Sequence, residues 1–139
     1  NKFVYEKYEY KVGCPPSGPL ACLLFCMPTA PASQPKTVII SHAIAVLSAL
    51  CAVAVHDFIP VLDVPKPVVG LVLSILAMKL AKAINPPAAA YAAALSGSGT
   101  TFGAVLTGPG TLGAVVLIVV QQVYFKITDA LSGTKAKKA

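Results

Sequence analysis

The apolar positions of this chain fall into long unbroken runs, not into alternation or a one-sided stripe. The longest, residues 37–55 (TVIISHAIAVLSALCAVAV), holds nineteen residues and no formal charge. Such a run predicts a helix of about 28 Å, close to the hydrocarbon thickness of a bilayer. Pro35 lies just before it, and the polar pair His56-Asp57 marks its end. A second run predicts a helix from about Val68 to Ile84, after the Pro-rich loop 56–67. Lys79 and Lys82 fall in its last turns, three apart and so on one face. At a helix end they can snorkel to the interface and complement the C-terminal dipole. The third run, 111–128, opens after Gly108-Pro109-Gly110, contains Gln121 and Gln122, and exits at Tyr124 and Lys126.

Shorter segments fill the spaces between. Leu20–Met27 is apolar but hemmed in by Pro15, Pro16, Pro19 and Pro28. It is too short to cross, so it reads as a half-helix or re-entrant element, which must be buried in protein at membrane depth. Asn85-Pro86-Pro87 breaks the second run, and residues 88–95 (AAAYAAAL) read as a short Ala-rich helix suited to close packing. Residues 96–103 form a Gly-rich turn with no Gly-Lys-Ser/Thr, so it is not a P-loop. Residues 1–12 place Tyr5, Tyr8 and Tyr10 among Lys2, Lys7 and Lys11. They read either as an arm lying at the membrane interface or as a solvated one. Residues 132–139 are a basic tail. The chain starts at Asn1, which is read as a processed or fragmentary start.

The expected fold is therefore all-α: a transmembrane helical bundle with three full spans, one half-helix and one Ala-rich helix. A single domain, 13–131, would hold them all. Lysine placement alone favours four crossings; the shortness of the first apolar run favours three. Composition narrows the class. Hydrophobic residues make up 56% and charged residues 12%, with a mean hydropathy of +0.76. That leaves too little polar surface for a soluble globule and too much aliphatic content for disorder. The net charge is +6, but all basic residues are Lys. Without Arg for bidentate contacts, no nucleic-acid partner is expected. The expected partner is the lipid bilayer.

The side-chain chemistry is sparse. Cys14, Cys22, Cys26 and Cys51 form no C-x-x-C pair, and only His42 and His56 could join them. No metal site is expected, and the thiols read as small apolar residues of a lipid-embedded core. Five carboxylates exist, none inside a span, and no nucleophile–base set accompanies them, so an enzyme is not expected.

Three stretches carry a resemblance. Gln34-Pro35-Lys36-Thr37-Val38-Ile39-Ile40-Ser41-His42 resembles the Q-P-R-N-V-I-G-G-H stretch of HPP-family membrane proteins. Gly18 to Phe25 is similar to that family's G-A-S-A-V-L-L-F run, and Asn85-Pro86-Pro87-Ala88-Ala89-Ala90-Tyr91-Ala92 to its H-P-P-A-G-A-T-A signature. Order and spacing agree from about residue 16 to 128. The resemblance implies a small helical membrane bundle, a chloroplast membrane for a eukaryotic member, and a link to nitrite transport. The departures have a direction. Lys36 stands where the family has Arg, Ile40 and Ser41 where it has Gly, Asn85 where it has His, and Tyr91 where it has Thr. Bulk is added and titratable donors are lost, so the expectation is a transporter scaffold kept for its shape.

Two functions follow as expectations. The first is a structural subunit of a chloroplast membrane complex, thylakoid more than envelope, with a photosystem supercomplex and other membrane subunits as partners. Chlorophyll and carotenoid would then be the cofactors, with His42, His56, Gln121 and Gln122 as candidate pigment ligands. Each also has a plainer reading, as a hydrogen-bonded or solvated side chain. The second is an oligomeric small-anion carrier, with nitrite as the substrate the resemblance implies. Its candidate contacts are the motif positions Gln34, Pro35, Lys36, His42, Asn85, Pro86 and Pro87, with the helix N-terminus at Ala88.

Overall fold

The computed structural model describes residues 16–58, 64–97 and 109–136. Within them lie five α-helices and no strand: α1 (Ser17–Cys26), α2 (Pro35–Phe58), α3 (Lys66–Leu80), α4 (Pro86–Gly97) and α5 (Pro109–Ala136). A single 3-10 turn, Pro31–Ser33, precedes α2. The polar arm 1–12 and the Gly-rich turn's residues 98–103 lie outside the described residues.

Proline sets where helices begin. α2 starts on Pro35, α3 carries Pro67 in its first turn, and α4 opens on Pro86-Pro87. A fixed φ suits the first helical turn, where the missing N–H has no intrahelical partner to lose. Two stretches are long and apolar enough to cross a membrane, Pro35–His56 and Gly110–Leu131. The third expected span differs. α3 begins at Lys66 and ends at Leu80, fifteen residues or about 22 Å. Its end is a Schellman-type stop: Lys82 takes a left-handed φ of 53°, and the Ala83 N–H donates to Met78 O at 2.9 Å. Lys79 and Lys82 therefore do not share a helix face; Lys82 lies beyond the helix, and both are exposed.

α2, α3 and α4 pack against one another around Ala45, Ala49, Met78, Ala88, Ala92 and Leu95. α1 and α5 pair beside them, joined to α2 through Leu20, Leu24, Val38, Ala114 and Ile118. Small residues allow the approach of α3 to α4. A Cβ on Gly70 would sit 3.2 Å from Ala92 O and closer still to the Ser96 side chain. The three described cysteines, Cys22, Cys26 and Cys51, are exposed on helix exteriors instead of filling the core. Ala takes many of the core positions, which lets the helices approach closely, and Met78, Tyr91 and Leu95 fill others.

The left-handed residue at the end of α3 costs a lysine about 1–2 kcal/mol and a glycine almost nothing. Lys82→Gly is therefore expected to raise the thermal midpoint in detergent, read by loss of helical circular dichroism. An unchanged or lower midpoint counts against this stop geometry.

Candidate functional site

The two signature turns, far apart in sequence, meet in space. Asn85 is fully buried and sits just before α4. Its Nδ2 donates to Ala32 O at 3.0 Å, across 53 residues of chain, in the turn that leads into α2. Its Oδ1 accepts from the Ala88 N–H at 3.2 Å, and its own carbonyl accepts from the Ala89 N–H at 3.1 Å. This is an N-cap whose free end reaches to a second helix entry. Pro86 and Pro87 have no N–H to offer. Every described donor of the first α4 turn is thus either absent or engaged. At the helix N-terminus expected as an anion contact, the Ala88 N–H is thus engaged by Asn85.

The facing turn is closed in the same manner. The Ser33 hydroxyl lies 2.7 Å from both Met27 O and Ala30 O, sharing its proton between them. Gln34, exposed, donates from Nε2 to Pro28 O at 3.3 Å. Pro35 is half-buried and Lys36 is exposed in the first turn of α2.

Two turns further along α2, His42 is only 6% exposed. Its Nδ1–H donates to Val38 O at 2.9 Å, and its ring lies 5.9 Å from that of Tyr91. Tyr91 is itself buried, with its OH 3.0 Å from Thr111 Oγ1. A Cβ on Gly110 would overlap the Tyr91 ring, so glycine there lets α5 come down onto α4. Tyr91 therefore does fill the space between α2, α4 and α5. Ile40, the other position of added bulk, is half-buried on α2.

The remaining candidates are dispersed. His56 is half-buried in the last turn of α2, where a basic group complements the dipole. Gln122 is exposed on α5. Gln121 is 3% exposed and donates from Nε2 to Leu24 O at 2.8 Å. That bond has a covalent cause. Leu24 O would ordinarily accept from the fourth residue on, which is Pro28 and has no N–H. The sequence held this signal, and it points to a donor from elsewhere. Gln121 Oε1 is buried without a partner among the described residues. Phe25 and Tyr124 extend the α1–α5 contact with an edge-on ring pair at 5.8 Å. Among the described residues no group of three or more His, Cys, Asp or Glu could hold a metal ion.

An all-helical bundle, apolar on its outside and closed at its helix ends, has the build of an integral membrane protein. A family model described as "HPP, transmembrane region" matches residues 2–132, and the chain belongs to that family of membrane proteins. No curated protein and no solved structure matches it.

Replacing Asn85 by Ala removes the α4 cap and orphans Ala32 O. The two losses together are expected to cost about 2–4 kcal/mol. Asn85→Asp keeps the cap acceptor but, when ionised, sets a buried charge against Ala32 O, so it too should melt below the unmodified chain. Thermal unfolding in detergent orders the three proteins; Asn85→Ala melting with the unmodified chain would contradict the double role.

Proposed function

We propose that this chain is a structural, accessory subunit of a chloroplast membrane complex, with a thylakoid photosystem supercomplex as the assembly it fits best. The observation that carries the reading is Asn85. Where an anion route would need free donors, this side chain joins the two signature turns and leaves none at the start of α4. Tyr91 adds to it by occupying the seam between three helices. The outer face of α5, with Val116, Val120 and Ile127 exposed, offers apolar surface to lipid or to neighbouring subunits. The chloroplast location rests on the resemblance described above. In this reading α3 is the third span, its short length completed by the flanking Lys66 and Lys79, and α1 is a half-helix that does not cross. The chain forms one domain from 13 to 131 and performs no catalysis.

A native gel in mild detergent tests the proposal. The chain should migrate with a larger pigmented assembly, and migration only as a free 14 kDa species would end it.

One observation favours a second reading, an oligomeric nitrite carrier. Lys36 is exposed in the first turn of α2, the one cationic motif residue not drawn into the packing. Liposomes holding the chain should then show saturable nitrite uptake that Lys36→Ala weakens. Flux equal to that of empty vesicles rules this reading out.

A further inference from the structure

The seam between α3 and α4 opens into a groove of about 300 Å³. Leu71, Ile75 and Met78 wall it from α3, and Pro86 and Ala90 from α4. Asn85 is its only polar lining residue, and both ends of that amide are already engaged, on Ala32 O and on the Ala88 N–H. The walls therefore offer hydrocarbon and no free side-chain donor or acceptor. A polar ligand finds nothing to bond there, whereas a stretch of acyl chain matches the lining.

One end of this groove is charged. Ile75 and Lys79 are four apart on α3 and share a face, so Lys79 follows the apolar wall by one turn. Lys82 comes next, beyond the helix, and its N–H donates to Lys79 O at 3.2 Å. Both lysines are exposed, and residues 66–97, which supply both walls, hold no Asp or Glu. The negative end of the α3 dipole meets the positive end of the α4 dipole here, so the two offset and the lysines remain as the net charge. Lys36 stands at the same end of the bundle, because Asn85 in the groove is tied to Ala32 just ahead of α2. Lys82 also holds a left-handed φ of 53° that a glycine would adopt without steric cost. The chain thus carries a charge at this point against its local backbone preference.

We infer that this site binds one anionic lipid, with its headgroup phosphate on Lys79 and Lys82 and one acyl chain in the α3–α4 groove. A membrane supplies both parts in one molecule, at the depth where lysines at a helix end reach the interface. A soluble phosphate would meet the lysines and leave the groove empty. A zwitterionic lipid would fill the groove and leave the lysines uncompensated. The inference is independent of both functional readings above, since a subunit and a carrier alike meet lipid.

The test titrates the full chain in neutral detergent with phosphatidylglycerol, with phosphatidylcholine of the same acyl chains, and with glycerol phosphate. Native mass spectrometry counts the molecules bound. One phosphatidylglycerol per chain is expected, with phosphatidylcholine at least about tenfold weaker. Lys82→Gly relieves the backbone, so it should stay folded yet lose about fivefold in phosphatidylglycerol affinity. Lys79→Gln should lose a similar factor and Lys79→Arg should not. Ala90→Phe, at an exposed wall position, fills the groove, leaves both charges in place, and should also weaken binding. Far-ultraviolet circular dichroism checks that each variant stays helical; the comparison of the two lipids needs no variant. Equal affinity for the two lipids, or unchanged affinity in Lys82→Gly, overturns the headgroup contact. Undiminished binding by Ala90→Phe, or displacement of the lipid by an equal concentration of glycerol phosphate, overturns the groove.

Discussion

In a hydrocarbon layer no water is available to the first N–H groups and last C=O groups of a helix, and this chain answers that constraint from within. α4 begins with two prolines that have no donor, and Asn85 takes up the next N–H groups. α3 ends on a left-handed turn that folds the Ala83 N–H back to Met78 O. Near the end of α1, Leu24 lies four residues before Pro28, and the carbonyl this strands is met by Gln121 from α5. A hydrogen bond contributes only about 1 kcal/mol net, but a buried orphan costs about 1–3 kcal/mol. The avoided penalty, more than the bonds themselves, dictates which polar residues the packed helices can carry.

That constraint bears on function. A polar side chain engaged at a helix end is held in place by the backbone it caps. Asn85 uses both ends of its amide, Ser33 its hydroxyl proton, and Gln121 its amino group. Asn85 and Ser33 turn their donors inward onto backbone carbonyls, and Gln34 bonds Pro28 O at the surface. Lys36 is the exception, because a long stem lets its charge leave the packed surface. The polar residues of the packed helices are thus organised largely around the bundle's own backbone.

How much of this the sequence disclosed depended on range. α2 was legible because nineteen uncharged residues follow a proline, and both signals are local. The end of α3 was not. A left-handed stop is usually marked by glycine, and here a lysine occupies it, so Lys82 read as one more helical residue. α5 was expected to stop at 128 and continues to Ala136, since Thr128 and Asp129 do not prevent a helix from running on into polar surroundings. The resemblance placed the two signature turns in order along the chain. That they touch depends on a bond between Asn85 and Ala32, which no local pattern encodes. For Gln121 the clue was present in Pro28, but only as a missing donor, with nothing to say which helix would supply one.

Packing is uneven across the bundle, and the unevenness shows in how each long helix is held. α2 has 44% of its most apolar stretch buried, while the corresponding stretch of α5 has 22%. α5 is held at a few discrete points: Tyr91 to Thr111 near its start, Gln121 to Leu24 farther along, and Tyr124 against Phe25 beyond that. Helices that meet through small residues, Gly70 and Ser74 of α3 and the alanines of α4, interlock closely and resist separation. A helix pinned at intervals can instead leave a groove between its pins. His42 stands in that groove, where the buried face of α2 ends and the thinly packed face of α5 begins.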